Sequence, residues 1–262
     1  MYILYLIMNT YFNKYFLYTA IWVIVIILLL MFLIRFIYIH NIIYIFNNYF
    51  DIHSPRREFY PTNMKWCKYL RDNYDVIRNE YLNYHKNCGN YKRLRDLDHD
   101  QALLDCTPIP WEVLMLRCYN KDTNKMRLFP KTQAILKKVP GCSLAMFSIL
   151  KPGQYLSPHK GVYKGVLRYH LSLIIPQDYE RCHLKVNNIK HCWKEGEDVI
   201  FDDRFVHEVH NETNETRVVL FLDIKRNFHN VTANIINNIL LNLFKYNKSF
   251  VRIVSNTNSI PA

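Results

Sequence analysis

The chain has 262 residues, half of them hydrophobic, which is enough for a short membrane segment and one soluble domain but not for two large domains. Its formal net charge of +12 suits an anionic partner, but Lys and Arg are scattered and no nucleic-acid-binding motif accompanies them, so we expect no nucleic-acid partner. The seven cysteines form no CxxC pair, which argues against a disulfide framework or a zinc knuckle and favours reduced thiols.

The first predicted element is an uncharged apolar run from Tyr15 to Ile34. Its length matches the ~20 residues that a helix needs to cross about 30 Å of hydrocarbon. A cleaved signal peptide is the alternative, but the run is longer than the usual core of roughly 7–15 apolar residues, and no small-x-small cleavage site follows it. We therefore predict a single-pass transmembrane helix over residues 15–38, preceded by an N-terminal tail of residues 1–14.

Basic residues near the ends of this span bear on its orientation. One precedes the span and three follow it: Lys14, then Arg35, Arg56 and Arg57. By the positive-inside rule this count favours a cytosolic position for the soluble domain, although the margin is small and the side stays open.

After the basic stretch the composition becomes globular, which predicts a juxtamembrane linker over residues 39–58 and a folded domain over residues 59–229. Apolar side chains then recur at helical spacing, which predicts one amphipathic helix packed on a core. These are Trp66, Leu70, Tyr74, Ile77 and Tyr81. Residues 230–262 are assigned to a C-terminal tail, in which an Ile/Leu-rich stretch could form a closing helix or a membrane-surface contact.

The second half of the domain changes to short apolar runs bounded by turn residues, which indicates strands. The predicted strands are Leu144–Leu150, Leu167–Ile175, Val199–Phe201 and Val218–Asp223. Together with the N-terminal span, they favour a mainly β fold with flanking helices, an antiparallel sandwich or jelly roll, plus one transmembrane helix.

Two histidines stand next to turns in this strand-rich half. His159 precedes Lys160 and Gly161, and His207 follows the strand Val199–Phe201 and its turn. Two histidines at neighbouring strand ends can share a metal, and imidazole suits Fe(II) in a site that keeps positions open for oxygen and a co-substrate. The chain has 11 histidines, so the spacing alone is a weak signal.

The sequence motifs around the two histidines are a more specific signal. Seven motifs occur in order: Phe129–Thr132, Val139–Gly141, Ser148–Gly153, Pro158–Gly161, Gly165–Leu171, Trp193–Glu197 and Phe201–Val209. This order resembles the aspartyl/asparaginyl β-hydroxylase family, and the resemblance covers roughly residues 59–226. That family is a branch of the double-stranded β-helix, cupin-like oxygenases. It includes membrane-anchored hydroxylases of Asp and Asn side chains and bacterial enzymes that hydroxylate lipid A acyl chains.

The resemblance implies that His159 and His207 are catalytic residues and the ligands of Fe(II). The carboxylate of a common facial triad would stand at position 161, which is Gly161 here. Members of the family keep two protein ligands, so this glycine agrees with the resemblance. Asp202 and Asp203 are interpreted as residues that support the turn rather than as a third ligand.

The resemblance also assigns the co-substrate 2-oxoglutarate, with O2 as the oxidant. Arg217 would bind the distal carboxylate, for which the planar guanidinium is well suited, and Ser148 and His170 would assist it. Arg168 would contact the substrate. Strand alternation independently places Arg168, His170 and Ser172 on one face of their strand.

The expected function is therefore a membrane-anchored Fe(II)- and 2-oxoglutarate-dependent dioxygenase that hydroxylates Asp or Asn in a protein. Hydroxylation of a lipid acyl chain is the alternative within the same class. A catalytically silent, membrane-tethered β-sandwich that only binds a partner is the alternative from another class. The sequence does not choose between a protein and a lipid substrate, and it leaves the oligomeric state open.

Overall fold

The structure is a computed structural model that describes residues 14–29, 39–97, 109–246 and 248–258. The chain divides into two compact units, residues 1–48 and residues 49–262. In the first unit, residues 14–29 form helix α1. None of the helices in the described ranges is long and apolar enough to cross a membrane. The predicted span of residues 15–38 includes residues 30–38, which lie outside those ranges, so it stays a prediction.

The other helices are α2 (Ile39–Ile52), α3 (Lys65–Asp72), α4 (Tyr74–Asn87), α5 (Leu94–Leu97), α6 (Pro130–Leu136), α7 (Val231–Phe244) and α8 (Lys248–Asn258). The strands are β1 (Phe59–Tyr60), β2 (Lys92–Arg93), β3 (Glu112–Cys118), β4 (Lys121–Asp122), β5 (Cys142–Leu150), β6 (Tyr155–His159), β7 (Val166–Ile174), β8 (Cys182–Val186), β9 (Ile189–Cys192), β10 (Asp198–Phe201), β11 (His207–Asn211) and β12 (Arg217–Lys225).

These strands form two antiparallel sheets within the described residues. The major sheet has the order β1-β10-β7-β12-β5-β3-β2, with β4 paired to β3, and the minor sheet has the order β6-β11-β8-β9. From β5 to β12 the chain passes back and forth between the two sheets, which is the winding of a jelly roll. The prediction of a mainly β jelly roll with flanking helices is confirmed. The four strands that the sequence indicated correspond to β5, β7, β10 and β12.

The inner faces of the two sheets pack against each other around an apolar cluster. It includes Met146 and Phe221 from the major sheet and Leu156, Leu184 and Val209 from the minor sheet, all of them buried. Burial of such side chains contributes roughly 1.5–3 kcal/mol each, which makes this inter-sheet layer one of the two main sources of stability.

Helices α3, α4 and α6 cover the outer face of the major sheet and bury the second apolar cluster. The predicted single helix is wrong in one respect, because it is divided at Asn73 into α3 and α4. The stripe still packs on the sheet: Leu70, Ile77 and Tyr81 are buried, and Trp66 and Tyr74 are partly buried. Asn73 donates from its side chain to the backbone oxygen of Tyr69, a local hydrogen bond that competes with helical continuation.

Both ends of the second unit hold more helix than the sequence indicated. Helix α2 occupies most of the segment predicted as a linker, and α7 and α8 lie in the predicted C-terminal tail. Helix α7 is capped by Asn230, whose side chain accepts a hydrogen bond from the Ala233 amide at 3.0 Å. Its buried Asn237 donates to the Gly165 carbonyl at 2.8 Å and so connects α7 to the loop between β6 and β7. The predicted linker of residues 39–58 extends across the division between the two units at residue 48, and its bounds stay a prediction.

Candidate active site

A small cavity between the two sheets is lined by every residue to which the sequence analysis gave a site role. These are Ser148, His159, Arg168, His170, His207 and Arg217. The major sheet supplies four of them, and the minor sheet supplies the two histidines predicted to bind metal. Apolar side chains complete the lining: Leu156, Phe201, Val209 and Phe221, together with Trp111.

His159 and His207 face each other across the pairing of β6 with β11, in which they are register partners. Their ring centroids are 4.1 Å apart. Each ring contacts a nearby backbone carbonyl through Nδ1: His159 with Ser157 at 2.6 Å and His207 with Phe205 at 3.1 Å. A carbonyl accepts only from a protonated nitrogen, so both Nε2 atoms are left with a lone pair for another partner.

The surroundings keep both imidazoles neutral. Burial, together with the nearby Arg168, lowers the pKa of His159 to about 4. Burial, Arg168 and His159 hold the pKa of His207 well below its usual value. A metal binds the neutral form of histidine, so the pair is in the protonation state that coordination requires.

The position of a third, carboxylate ligand is closed. A Cβ atom on Gly161 would lie 1.9 Å from Oδ2 of Asp203, so the Asp203 carboxylate occupies the space that a side chain at 161 would need. Among the described residues, no three His, Cys, Asp or Glu side chains converge as a metal site. The arrangement therefore fits an ion held by two histidines, and does not fit one held by a complete facial triad.

Arg217 is the most unusual group in the cavity. Its side chain is buried, and it forms no ion pair with any described carboxylate. Its Nη1 donates to the backbone oxygen and to Oγ of Ser148, both at 3.3 Å, and its guanidinium lies 4.5 Å from the ring centroid of Trp193. Burial lowers its pKa to about 10. An arginine in this position stays charged at neutral pH and lacks the anion that would compensate its burial.

His170 is the second buried group with unused hydrogen-bonding capacity. Neither ring nitrogen has a hydrogen-bond partner in the structure. The ring lies between aromatic side chains, 5.1 Å from Phe201 and 4.9 Å from Phe221 by centroid. Burial, together with Arg217 and Arg168, holds its pKa well below the usual value, so it is neutral.

Arg168 lies between the histidine pair and two carboxylates. Its Nη1 donates to Nε2 of His207 at 3.3 Å, and its Nε lies 3.1 Å from Asp203 and 3.8 Å from Asp223. Burial raises the pKa of Asp223 to about 7. A metal on His207 Nε2 would displace the hydrogen bond from Arg168.

Three further residues belong to the site and were not found by sequence reasoning. Trp111 donates from its ring nitrogen to Ser148 Oγ at 3.0 Å, and Trp193, to which the motif gave no role of its own, stacks on Arg217. Asp223 shares Arg168 with Asp203. Trp111 precedes β3, far from the motifs in sequence, so no local pattern indicated it. Asp223 carried a signal, because it is an acidic residue at the end of an apolar strand.

The fold is a jelly roll whose inter-sheet cavity holds a neutral histidine pair and a buried arginine without a described counter-ion. A model of the family described as "Aspartyl/Asparaginyl beta-hydroxylase" matches residues 71–227. That match covers more than half of the chain, and the chain therefore belongs to this family.

Two curated relatives illustrate the range of the family. The chain is 35% identical over 179 residues to an ornithine lipid ester-linked acyl 2-hydroxylase of Rhizobium tropici, covering 68% of this chain and 63% of the relative. It is 37% identical over 109 residues to the aspartyl/asparaginyl beta-hydroxylase of Mus musculus, covering 40% of this chain and 14% of the relative. The chain thus spans less than two thirds of either relative. A prolyl-4-hydroxylase of Pseudomonas putida aligns with a TM-score of 0.39 at 13% identity over 66% of this chain and 92% of its own, a likeness too weak to bear on function.

Proposed function

We propose that this protein is an Fe(II)- and 2-oxoglutarate-dependent hydroxylase that acts on an aliphatic C–H bond. The observation that carries the proposal is Arg217, a buried cation without a described counter-ion, in the same cavity as the pair His159 and His207. Iron and 2-oxoglutarate, when bound, would supply the oxidising chemistry that places one oxygen atom of O2 in the substrate and the other in succinate, with release of carbon dioxide.

His159 and His207 would hold the iron through Nε2, because their Nδ1 atoms contact backbone carbonyls. These second contacts fix the tautomer and the orientation of each ring before the metal arrives. With Gly161 at the third position, the protein would leave more coordination sites to the co-substrate, O2 and water than a facial triad does.

Arg217 would bind the distal carboxylate of 2-oxoglutarate, with Ser148 as a neutral donor beside it. The carboxylate would then provide the counter-charge that the buried guanidinium lacks. His170, with two unpartnered ring nitrogens, would donate the next hydrogen bond to the co-substrate. Trp193 and Phe221 would exclude water from this end of the cavity.

The substrate is proposed to be an acyl chain of a lipid. A second cavity opens beside the site, with Arg168, Asp203 and Asp223 at its polar side. The rest of its lining is largely apolar: Leu94, Leu97, Met115, Leu144, Met146 and Ile253. An aliphatic chain complements such a surface, and a polar Asp or Asn side chain does not. The longer alignment, to the Rhizobium tropici lipid hydroxylase, also supports this choice.

Hydroxylation of Asp or Asn in a protein is the second candidate, and the guanidinium of Arg168 favours it because an acidic side chain would pair with it. The two carboxylates that already contact Arg168 weigh against that role. A silent binding module is the third reading, and the unpartnered groups in the cavity weigh against it.

The test uses the full chain with Fe(II) and 2-oxoglutarate. Under anaerobic conditions, a weak visible charge-transfer band is expected when both are added, and none when either is omitted. In air, 2-oxoglutarate turnover is expected to rise with an added phospholipid and not with an Asp-rich peptide. Absence of the band in folded protein would overturn the proposal, and stimulation by the peptide alone would replace the lipid with a protein substrate.

Anchoring through residues 15–38 is also part of the proposal. It is supported by the apolar run of the sequence, and it would bring the site close to a lipid substrate. Retention of the full chain in membranes after alkaline washing, and its loss when residues 15–38 are replaced, are the expected results.

A further inference from the structure

A basic pocket lies at the loop that follows His159, and its lining is Asp51, Arg56, Lys160, Gly161, Lys164, Arg204 and Phe205. We propose that Arg56, Lys160 and Lys164 form the binding site for a phosphate head group of the substrate lipid. This inference rests on the hydroxylase function proposed above, and it adds a site, a ligand class and a direction in which the substrate lies.

The charge in the pocket is unbalanced. Four cations face one carboxylate, Asp51, which is shared between Lys164 and Arg204. Arg204 is also compensated by the buried Asp202 at 2.7 Å, which pairs on its other side with Arg226. The positive charge left over therefore belongs mainly to the remaining two cations of the pocket.

Those two cations are Arg56 and Lys160. Both are exposed, and among the described residues neither forms an ion pair or donates a hydrogen bond. Two acidic groups close to these residues are engaged elsewhere: Glu58, two positions after Arg56, accepts a hydrogen bond from Asn187 at 2.8 Å, and Asp203, beside Gly161, pairs with Arg168. A phosphate accepts hydrogen bonds from several donors at once, so it matches an arginine fork beside two ammonium groups.

One loop connects this pocket to the apolar cavity. Between the ends of β6 and β7, Lys160, Gly161 and Lys164 line the basic pocket, whereas Val162 and Tyr163 line the apolar cavity. The loop is held in place from α7, because Tyr163 donates to Asn237 Oδ1 at 2.6 Å. A ligand that crosses the loop would therefore place a charged end on one side and an aliphatic chain on the other.

The pocket also lies next to both metal-binding candidates along the chain. Lys160 follows His159 directly, so their Cα atoms are ~3.8 Å apart. Phe205, whose carbonyl contacts the His207 ring, lines the same pocket. A lipid with its phosphate in the basic pocket and its chain in the apolar cavity would pass the histidine pair near its head-group end. Oxidation is therefore expected close to that end of the acyl chain and not at its methyl terminus.

The test measures equilibrium binding to the full chain, without iron, by titration calorimetry in a neutral detergent. The probes are decyl phosphate, inorganic phosphate and decanol. Decyl phosphate is expected to bind more tightly than either of the others, because it alone has both parts of the ligand. Arg56→Gln and Lys160→Gln are each expected to weaken its binding by roughly 2- to 5-fold, because both side chains are exposed and water screens a contact between exposed charges.

Lys86→Gln is the matched control, since it removes the same charge from an exposed position on α4, and its binding should equal that of the native chain. Unchanged decyl phosphate binding in the Arg56→Gln/Lys160→Gln double variant would overturn the site. Equally tight binding of inorganic phosphate would overturn the lipid head group as its source, as would displacement of decyl phosphate by an Asp-rich peptide. Because the assay contains no iron, binding can be confirmed even if the chain shows no 2-oxoglutarate turnover, and the two proposals can fail separately.

Discussion

Both faces of the major sheet hold buried side chains, but the two faces differ in what those side chains contact. On β7, Tyr169 and Leu171 point outward into the helix-covered cluster, where apolar side chains contact each other. Arg168 and His170 alternate with them and point inward to the cavity. Buried polar groups are normally paired, yet both nitrogens of His170 and Nε of Arg217 have no partner.

The difference shows that burial alone does not separate a core from a site. On the outer face most side chains are apolar and contribute to stability by contact with each other, although the buried hydroxyl of Tyr169 has no hydrogen-bond partner there. On the inner face it leaves polar groups without partners, which costs stability unless a ligand provides them. Substitutions on the two faces should therefore have opposite consequences for stability and for ligand binding.

The largest effect is expected from the histidines of the minor sheet. His159→Ala or His207→Ala should abolish Fe(II) binding and turnover, because only two protein ligands are proposed and neither can be replaced by a third. Iron titration and 2-oxoglutarate turnover measure this, and thermal unfolding of the iron-free chain should change little. Iron affinity close to that of the native chain in either variant would refute the ligand assignment.

Leu171→Ala tests the outer face. The residue is fully buried in the helix-covered cluster, so its truncation should lower the free energy of unfolding by about 2–5 kcal/mol. Affinity for 2-oxoglutarate, measured at a temperature where the variant is folded, should stay unchanged. Native stability together with weakened 2-oxoglutarate binding in this variant would contradict the assignment of the outer face to stability and the inner face to ligand binding.

Arg217→Ala tests the inner face. Loss of the charge-assisted contact should weaken 2-oxoglutarate binding by about 1.5–3 kcal/mol, roughly 10- to 100-fold, with iron affinity unchanged. Without ligand, the variant should lose less stability than Leu171→Ala, because an uncompensated buried cation has been removed. In thermal unfolding, 2-oxoglutarate should stabilise the native chain but not the variant. A wild-type dependence on 2-oxoglutarate would mean that the co-substrate binds elsewhere.

Ser148→Ala should also weaken 2-oxoglutarate binding, by the smallest amount among these variants of the site. The hydroxyl is a neutral partner beside Arg217, and such a hydrogen bond contributes only about 0.5–1.5 kcal/mol. The apparent KM for 2-oxoglutarate should rise by less than in Arg217→Ala. Ser148→Thr retains the hydroxyl and serves as the control. An effect of Ser148→Ala larger than that of Arg217→Ala would contradict the proposed order of contacts.

The parts of the fold that the sequence predicted were those with a strong local period. The alternation on β7 identified both faces of that strand, and the apolar runs located β5, β10 and β12. The strands of the minor sheet were missed. In β9 and β11, apolar residues alternate with charged residues and histidines, so these short segments resemble loops in a hydropathy pattern. Asn73 divided the predicted helix through a side-chain hydrogen bond that no periodicity reveals.

The candidate site was predictable because its motifs resemble a family, whereas its charge balance was not. The charge balance depends on which strands become neighbours. Their arrangement leaves Arg217 without a described counter-ion and brings Arg168 into contact with Asp203 and Asp223. Asp223 and Arg168 are register partners across β12 and β7, although 55 positions separate their numbers (223 − 168). Contacts of this kind come from topology and cannot be found by reading along the chain.

The division of the site between the sheets has one more consequence. The histidines are on the minor sheet, and Ser148, His170 and Arg217 are on the major sheet. In the proposed enzyme, the distance from metal to co-substrate would therefore depend on the apolar layer between the sheets, including side chains such as Leu184 that do not line the cavity. A change of volume there, as in Leu184→Ala, would let the sheets approach or slide. Iron and 2-oxoglutarate could then each bind with native affinity while oxidation of 2-oxoglutarate became uncoupled from hydroxylation. The ratio of substrate hydroxylated to 2-oxoglutarate consumed would therefore report on the packing of the two sheets.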